Sequence, residues 1–191
     1  MLLRLLRKRP ATTRDSMPVT MTGVRMGERL LQIGVDDPAL VATLAAKVGL
    51  SGTAVVAVKD EREAERARAS ATKAGVLIDV HVAPWSTLPL AAESFDLAVV
   101  QGTGGFLASM KPEDRVACLQ QAYRLLRPGG RLVVIESAPP ARVAGVVRRH
   151  AVNEHYAAAG GAEGALKAER FRPVRTIGEA EGYRFTEGLK T

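Results

Sequence analysis

The side chains able to move a proton near neutral pH gather late in the chain. Arg148, Arg149, His150, Asn153, Glu154, His155 and Tyr156 fall in one short stretch. A histidine or tyrosine there could act as a general base. A polar helix face carries the same residue types and is the plainer reading, since many helices show them. A second set of residues sits at tight turns. The segment RLLQIGVDDPALV, from Arg29 to Val41, reads as a buried strand, a turn at Gly34 and a helix starting near Asp37-Pro38. In an α/β protein this first strand–turn–helix is where a nucleotide-like ligand sits. Lys59, at the end of the next apolar run, could pair with a ribose phosphate. Two other chemistries find no support. Cys118 is the single cysteine, so no internal disulfide forms, and its apolar helical neighbours make it a small core residue suited to a reducing compartment. His81, His150, His155 and Cys118 have no metal-ligand spacing.

The elements that must position these residues follow from pattern. Strands are predicted over Arg29–Ile33, Thr53–Val58, Val76–Val82, Phe95–Gln101 and Arg131–Glu136. The run TAVVAV is apolar throughout, as a strand covered on both faces should be. Between them, Asp36 or Asp37 can cap a helix with Pro38 in its first turn and Gly49 at its end. A charged-faced helix runs from about Asp60 to Lys73 and closes at Gly75. Residues 83–92 read as a loop, Gly102 to Gly105 as a compliant connector, and Pro112–Leu126 as a helix. Arg127-Pro128-Gly129-Gly130 turns the chain. Such alternation implies right-handed crossovers and a parallel sheet with helices on both faces. Beyond Ser137 the pattern loosens: helices are expected over Ala141–Ala159 and Ala162–Arg170. Then FRPVRTIG and GYRFTEGLK flank a turn too short for anything but an antiparallel pair.

The chain has 191 residues, enough for one domain with a real core. No apolar run approaches the ~20 residues needed to span a bilayer. The net charge is +7, and residues 1–30 hold seven basic and two acidic residues. Division into a basic N-terminal arm, 1–27, and a domain, 28–191, is expected. Residues 1–10 alternate leucines with Arg4, Arg7, Lys8 and Arg9 up to Pro10. A short amphipathic helix there could rest on an anionic membrane surface or contact phosphates; a solvated terminus is the plainer reading. Residues 11–28 read as an irregular lead-in that could be partly packed on the core.

The stretch AYRLLRPGGRLVVIE, from Ala122 to Glu136, with SFDLAVV from Ser94 to Val100 and the Leu88-Pro89-Leu90 turn, resembles the class I S-adenosylmethionine-dependent methyltransferases. It is most similar to the small-molecule methyltransferases related to ubiquinone/menaquinone C-methylation. The resemblance covers about residues 28–190. It implies a Rossmann-like, doubly wound, mostly parallel sheet with a C-terminal antiparallel hairpin. It implies S-adenosylmethionine as cofactor, held near Gly34, Asp36, Lys59, Asp60, Pro84, Trp85 and Gln101. Family members carry an acid and then G-x-G-x-G after strand 1; here Gln32 stands at the acid, Gly34 keeps the first glycine, and Asp36 and Pro38 replace the others. Asp36 could repel the cofactor's carboxylate or attract its ammonium. The ribose-binding acid at the end of strand 2 becomes Lys59, followed by Asp60. The Gly-Asp at the end of strand 3 becomes Ala83-Pro84, with Trp85 next, whose ring could cover an adenine or belong to the core.

The resemblance leads to methyl transfer onto a small acceptor that could be lipophilic, with no catalytic residue assigned. The alternative is a non-catalytic relative that keeps the fold as a binding or scaffolding module. A nucleotide-phosphate binder is a third reading, motivated by Lys59. Aromatic content of 4% argues against nucleic acid as partner. The sequence leaves the oligomeric state open.

Overall fold

The computed structural model describes residues 16–138 and 154–191. Seven strands form one sheet in the order β3-β2-β1-β4-β5-β7-β6. They are β1 (Arg29–Ile33), β2 (Thr53–Val58), β3 (Asp79–Val82), β4 (Phe95–Gly102), β5 (Leu126–Ser137), β6 (Val174–Ala180) and β7 (Tyr183–Leu189). Strands β1 to β5 run parallel, and β7 is antiparallel to both neighbours. The helices are α1 (Met17–Thr22), α2 (Pro38–Val48), α3 (Glu61–Ala74), α4 (Phe106–Ser109), α5 (Pro112–Leu125), α6 (Glu154–Ala158) and α7 (Gly161–Ala168). The expected doubly wound sheet with its terminal hairpin is the observed fold.

Side chains alternate between the two faces of each strand, so two apolar layers form. On one face, Leu31, Ile33, Ala98, Val100, Leu132 and Val134 meet α5 and α7. On the other, Leu30, Leu97, Val99 and Val133 meet α1 and α2, while Val56 and Val58 meet α3. Helix α3 buries only alanines, Ala64, Ala67 and Ala71. Small residues on that stripe let a highly charged helix lie close on the sheet.

The termini of the helices follow local chemistry. Asp37, not Asp36, caps α2, accepting from the Ala39 and Leu40 amides. Asp60 caps α3 by accepting from the Glu63 amide. Gly75 ends α3 in the left-handed region at φ 68°, and the Val76 amide still bonds back to Ala71. That bond explains why β3 starts at Asp79 and not at the expected Val76: the chain is tied to the helix for longer than its β-branched residues suggest.

Three other expectations are corrected. The lead-in to β1 contains a real helix, α1, closed by Gly23 at φ 61°. It is too short to show periodicity, and its Val19 joins the core, so this part of the expected arm lies against the domain. A second short helix, α4, fills the connector after β4. The Arg127–Gly130 turn is drawn into β5: Phe95 pairs with Leu126, and the register resumes only at Leu97 and Arg131. The cause is Lys190, whose backbone bonds to both Gly129 and Gly130. Most of the expected helix over 141–159 lies outside the described residues.

Candidate functional site

The crossover after β1 leaves toward one face of the sheet and the chain after β4 toward the other. Strands β1 and β4 are neighbours, so their carboxyl ends part and leave a crevice, the usual ligand position in an open α/β sheet. Gly34 begins that rim at φ 80°. A Cβ built on it would lie 3.2 Å from Cε2 of Phe106. Its place therefore needs glycine twice, for the left-handed backbone and for the approach of the Phe106 ring.

Asp36 reaches across the crevice. Its Oδ2 accepts from the Gly104 amide at 2.7 Å. Burial pushes its carboxyl above the ordinary value, against the Gly104 hydrogen bond and the nearby charges of Arg66 and Lys59. An acid kept partly out of water, with one backbone donor, is poised to receive a cation. Beneath it runs a row of amides. Gln101 Oε1 accepts from the Asp37 amide at 3.1 Å. Gln101 Nε2 donates to Gln32 Oε1 at 3.3 Å, and Gln32 Nε2 donates to the Val41 carbonyl at 3.1 Å. Gln32 and Gln101 are 0% and 1% exposed. Both belong to the sheet face that α2 covers, so the family's acidic position is here a structural amide that ties β1 to β4 and to α2.

The remaining predicted site residues are placed as follows. Lys59 lies 3.9 Å from Glu63 Oε1 in an exposed i,i+4 ion pair, and its charge is felt at Asp36. Asp60 is committed to capping α3, which leaves Glu63 as a second carboxylate at the end of β2. Pro84 is exposed. Trp85 is 8% exposed and belongs to the core. Its ring meets Phe106 edge to face, with centroids 5.2 Å apart. Trp85 is thus a wall of the crevice and not an open stacking platform. The structure brings Gly34, Asp36, Gln101 and, through Phe106, Trp85 together; it turns the Asp60 carboxylate away. Sequence reading missed Phe106 and Glu63, and it named Gln32 and the Gly102–Gly105 loop without finding their partners. The glycine-rich run before Phe106 was the available signal, since such a run permits close backbone approach.

Further along the rim, at the end of β5, Tyr156 donates its hydroxyl to Glu136 Oε1 at 2.8 Å. Arg115 stacks over the Tyr156 ring. Burial, then the Glu136 charge, push the Tyr156 phenol up. Burial likewise pushes the Glu136 carboxyl up, opposed by the Tyr156 hydroxyl and by Arg184. The Tyr156 hydroxyl is thus engaged with Glu136 and held in its protonated form. The pair fastens α6 to the sheet. His155 is exposed. Arg148, Arg149, His150 and Asn153 lie outside the described residues.

Comparison with known proteins agrees with this geometry. A family model described as a methyltransferase domain matches residues 31–134. The ubiquinone/menaquinone biosynthesis C-methyltransferase UbiE of Escherichia coli is 28% identical over 124 residues, which is 64% of this chain and 47% of the relative. The chain therefore spans about half the length of the curated relatives it matches. A SAM-dependent methyltransferase from Aquifex aeolicus superposes with a TM-score of 0.69 at 18% identity, over 91% of this chain and 88% of that one. A SAM-dependent O-methyltransferase from Thermotoga maritima gives 0.62 at 17% identity, over 91% and 63%. Those two share the fold. The family match covers more than half of the residues and includes Gly34, Asp36, Trp85, Gln101 and Phe106; the chain belongs to the methyltransferase-domain family.

Proposed function

We propose that this protein transfers a methyl group from S-adenosylmethionine to a small acceptor, with the cofactor in the crevice above β1, β2 and β4. The observation that carries the reading is the Asp36 carboxylate, half-buried at the switch point and bonded to the Gly104 amide. The chemistry of the donor set suits this cofactor, which carries an ammonium and a sulfonium. Asp36 is an acceptor for the ammonium. The Trp85–Phe106 pair gives an apolar, aromatic border that excludes water and favours a cation. Glu63 is the carboxylate available to ribose hydroxyls, once Lys59 swings away from it.

The cofactor, when bound, supplies an electrophilic methyl group on positive sulfur. The chain's own residues bind, orient and dehydrate. Gly34 and Gly104 let backbone come close. The Gln32–Gln101–Asp37 amide row fixes the rim. Methyl transfer can be accelerated by proximity and orientation alone, so no general base among the described residues is required. The likeness to UbiE makes a quinone-precursor ring the acceptor class to assay first.

Calorimetric titration tests the reading. Saturable micromolar binding of S-adenosylmethionine and S-adenosylhomocysteine is expected. Silence up to millimolar ligand would overturn it and leave the fold as a non-catalytic binding module.

A further inference from the structure

The end of the sheet opposite the crevice carries a different surface. Met26, Leu50 and Leu77 are 80%, 94% and 81% exposed, more than any other large apolar residue described. All three lie in loops that lead into the amino ends of adjacent parallel strands: Met26 before β1, Leu50 before β2, Leu77 before β3. The strand registers, Arg29 with Thr53 and Val55 with Asp79, bring these loops side by side. The loops also touch directly. The Gly27 amide bonds to the Val48 carbonyl at 2.9 Å, and a Cβ on Gly49 would lie 3.7 Å from Met26 Cγ. A groove of about 540 Å³ runs between Leu50 and Leu77, floored by Ala45, Val48, Val76 and Ile78. Three adjacent apolar loop tips, each held out into solvent, are not a chance scatter of single exposed residues.

The charge around the tips selects the occupant. Arg25 precedes Met26 in the chain, Lys47 lies in the last turn of α2 three residues before Leu50, and Lys73 in the last turn of α3 before Leu77. Of the acids in the same loops, Glu28 is paired with Arg131 at 3.0 Å, and Asp79, hydrogen-bonded to His81 at 2.9 Å, is the one carboxylate set against the three cations. Helix α1 closes at this same end, where the Gly23 carbonyl accepts from Arg131 at 2.8 Å. Separate apolar tips ringed by cations match an anionic lipid surface, into which side chains insert while lysine and arginine meet headgroups. A basic segment of the chain itself would be repelled from the same place.

We infer that the amino end of the sheet is a docking face for an anionic bilayer, through Met26, Leu50 and Leu77. This stands independently of methyl transfer. The face points away from the crevice, so a docked molecule takes its cofactor and acceptor from the aqueous side.

The test uses the full chain and pelleting with sucrose-loaded vesicles. Vesicles of phosphatidylcholine with phosphatidylglycerol should bring the protein down, and vesicles of phosphatidylcholine alone should bring down much less. The variant Met26→Ser/Leu50→Ser/Leu77→Ser should partition at least about tenfold more weakly. Its thermal midpoint should match the parent's, since the tips are exposed. Arg25→Glu/Lys73→Glu should weaken binding to the anionic vesicles alone. Equal pelleting of the parent and the triple variant would overturn the inference and assign any binding to the first residues. Light scattering that shows a parent dimer, lost in the triple variant without change in pelleting, would overturn it in favour of an interface between copies.

Discussion

Two aspartates at opposite ends of the same pair of strands have opposite environments. Asp96 begins β4 at the amino end. It accepts from the Arg29 amide at 2.8 Å, from the Arg29 guanidinium and from Arg127 Nε at 2.5 Å. Burial alone would raise its carboxyl, yet these donors outweigh burial and hold it down at about 2. Asp36 closes the turn after β1 at the carboxyl end. It has one backbone donor, and burial wins. The first carboxylate is fully used by the fold. The second has only the Gly104 amide and the more distant charges of Arg66 and Lys59 against its burial, an environment that suits the ligand role proposed for it.

The largest expected effect attacks the platform under Asp36. Gln101→Leu strips partners from the Asp37 amide and from Gln32, whose side chain stays buried. We expect a loss of about 3 kcal/mol in urea unfolding, from the cost of orphaned buried polar groups. A loss below about 1 kcal/mol would mean that the amide row relaxes freely and does not set the rim.

Asp96→Asn should cost about 2 kcal/mol at neutral pH and leave cofactor titration unchanged. The pH dependence has a definite sign. The folded Asp96 is lowered from 3.8 to about 2, so the unfolded chain binds more protons in that interval. Stability from this group is complete above that window and is lost as pH falls through it. The variant should lack this acid-limb loss.

Asp36→Asn should do the reverse. Relief of a partly buried charge leaves stability within about 1 kcal/mol of the parent, while S-adenosylmethionine affinity falls about tenfold, or ~1.4 kcal/mol. In the parent, affinity should fade on acidification at a pH above the ordinary aspartate range, because protonation removes the acceptor for the ammonium. If Asp36→Asn binds cofactor as the parent does, the contrast between the two aspartates has no functional content.

The smallest expected effect separates the Glu136–Tyr156 pair from chemistry. Tyr156→Phe leaves a buried carboxylate without its hydroxyl donor and should cost about 1 kcal/mol or somewhat more. Turnover should stay near the parent's, measured with a saturating acceptor.

Much of the frame was legible because its signals are local. Pro38 and Gly49 bracket α2, and TAVVAV fits only a strand covered on both faces. The site was half legible. Gly34 and Asp36 could be found by counting from strand 1. The Gly102–Gly105 loop could be brought to the same crevice, but not the Gly104–Asp36 bond or the Phe106 ring, which meet the rim only after the sheet has assembled. Trp85 was ambiguous for a related reason: a lone ring reads the same whether it will face a ligand or the core. Gln32 looked like a lost acid. Only its bonds to Gln101 and Val41 show that it has a structural task of its own. Short helices such as α1 and α4 carry too few residues for periodicity to register.

The two walls of the crevice differ in how they can move. The wall built on Asp37, Gln101 and Gln32 is cross-braced and has no slack. The facing wall, Gly104 to Ser109, turns at Gly105, whose φ is 83° and whose Cβ position is open space. If a ligand enters by displacing one side, Phe106 is the side chain that would move and Gly105 the residue about which the backbone would turn. Amide hydrogen exchange should be faster over residues 104–109 than over 30–41, and stiffening the pivot should slow ligand association and dissociation together without altering the resting shape of the rim.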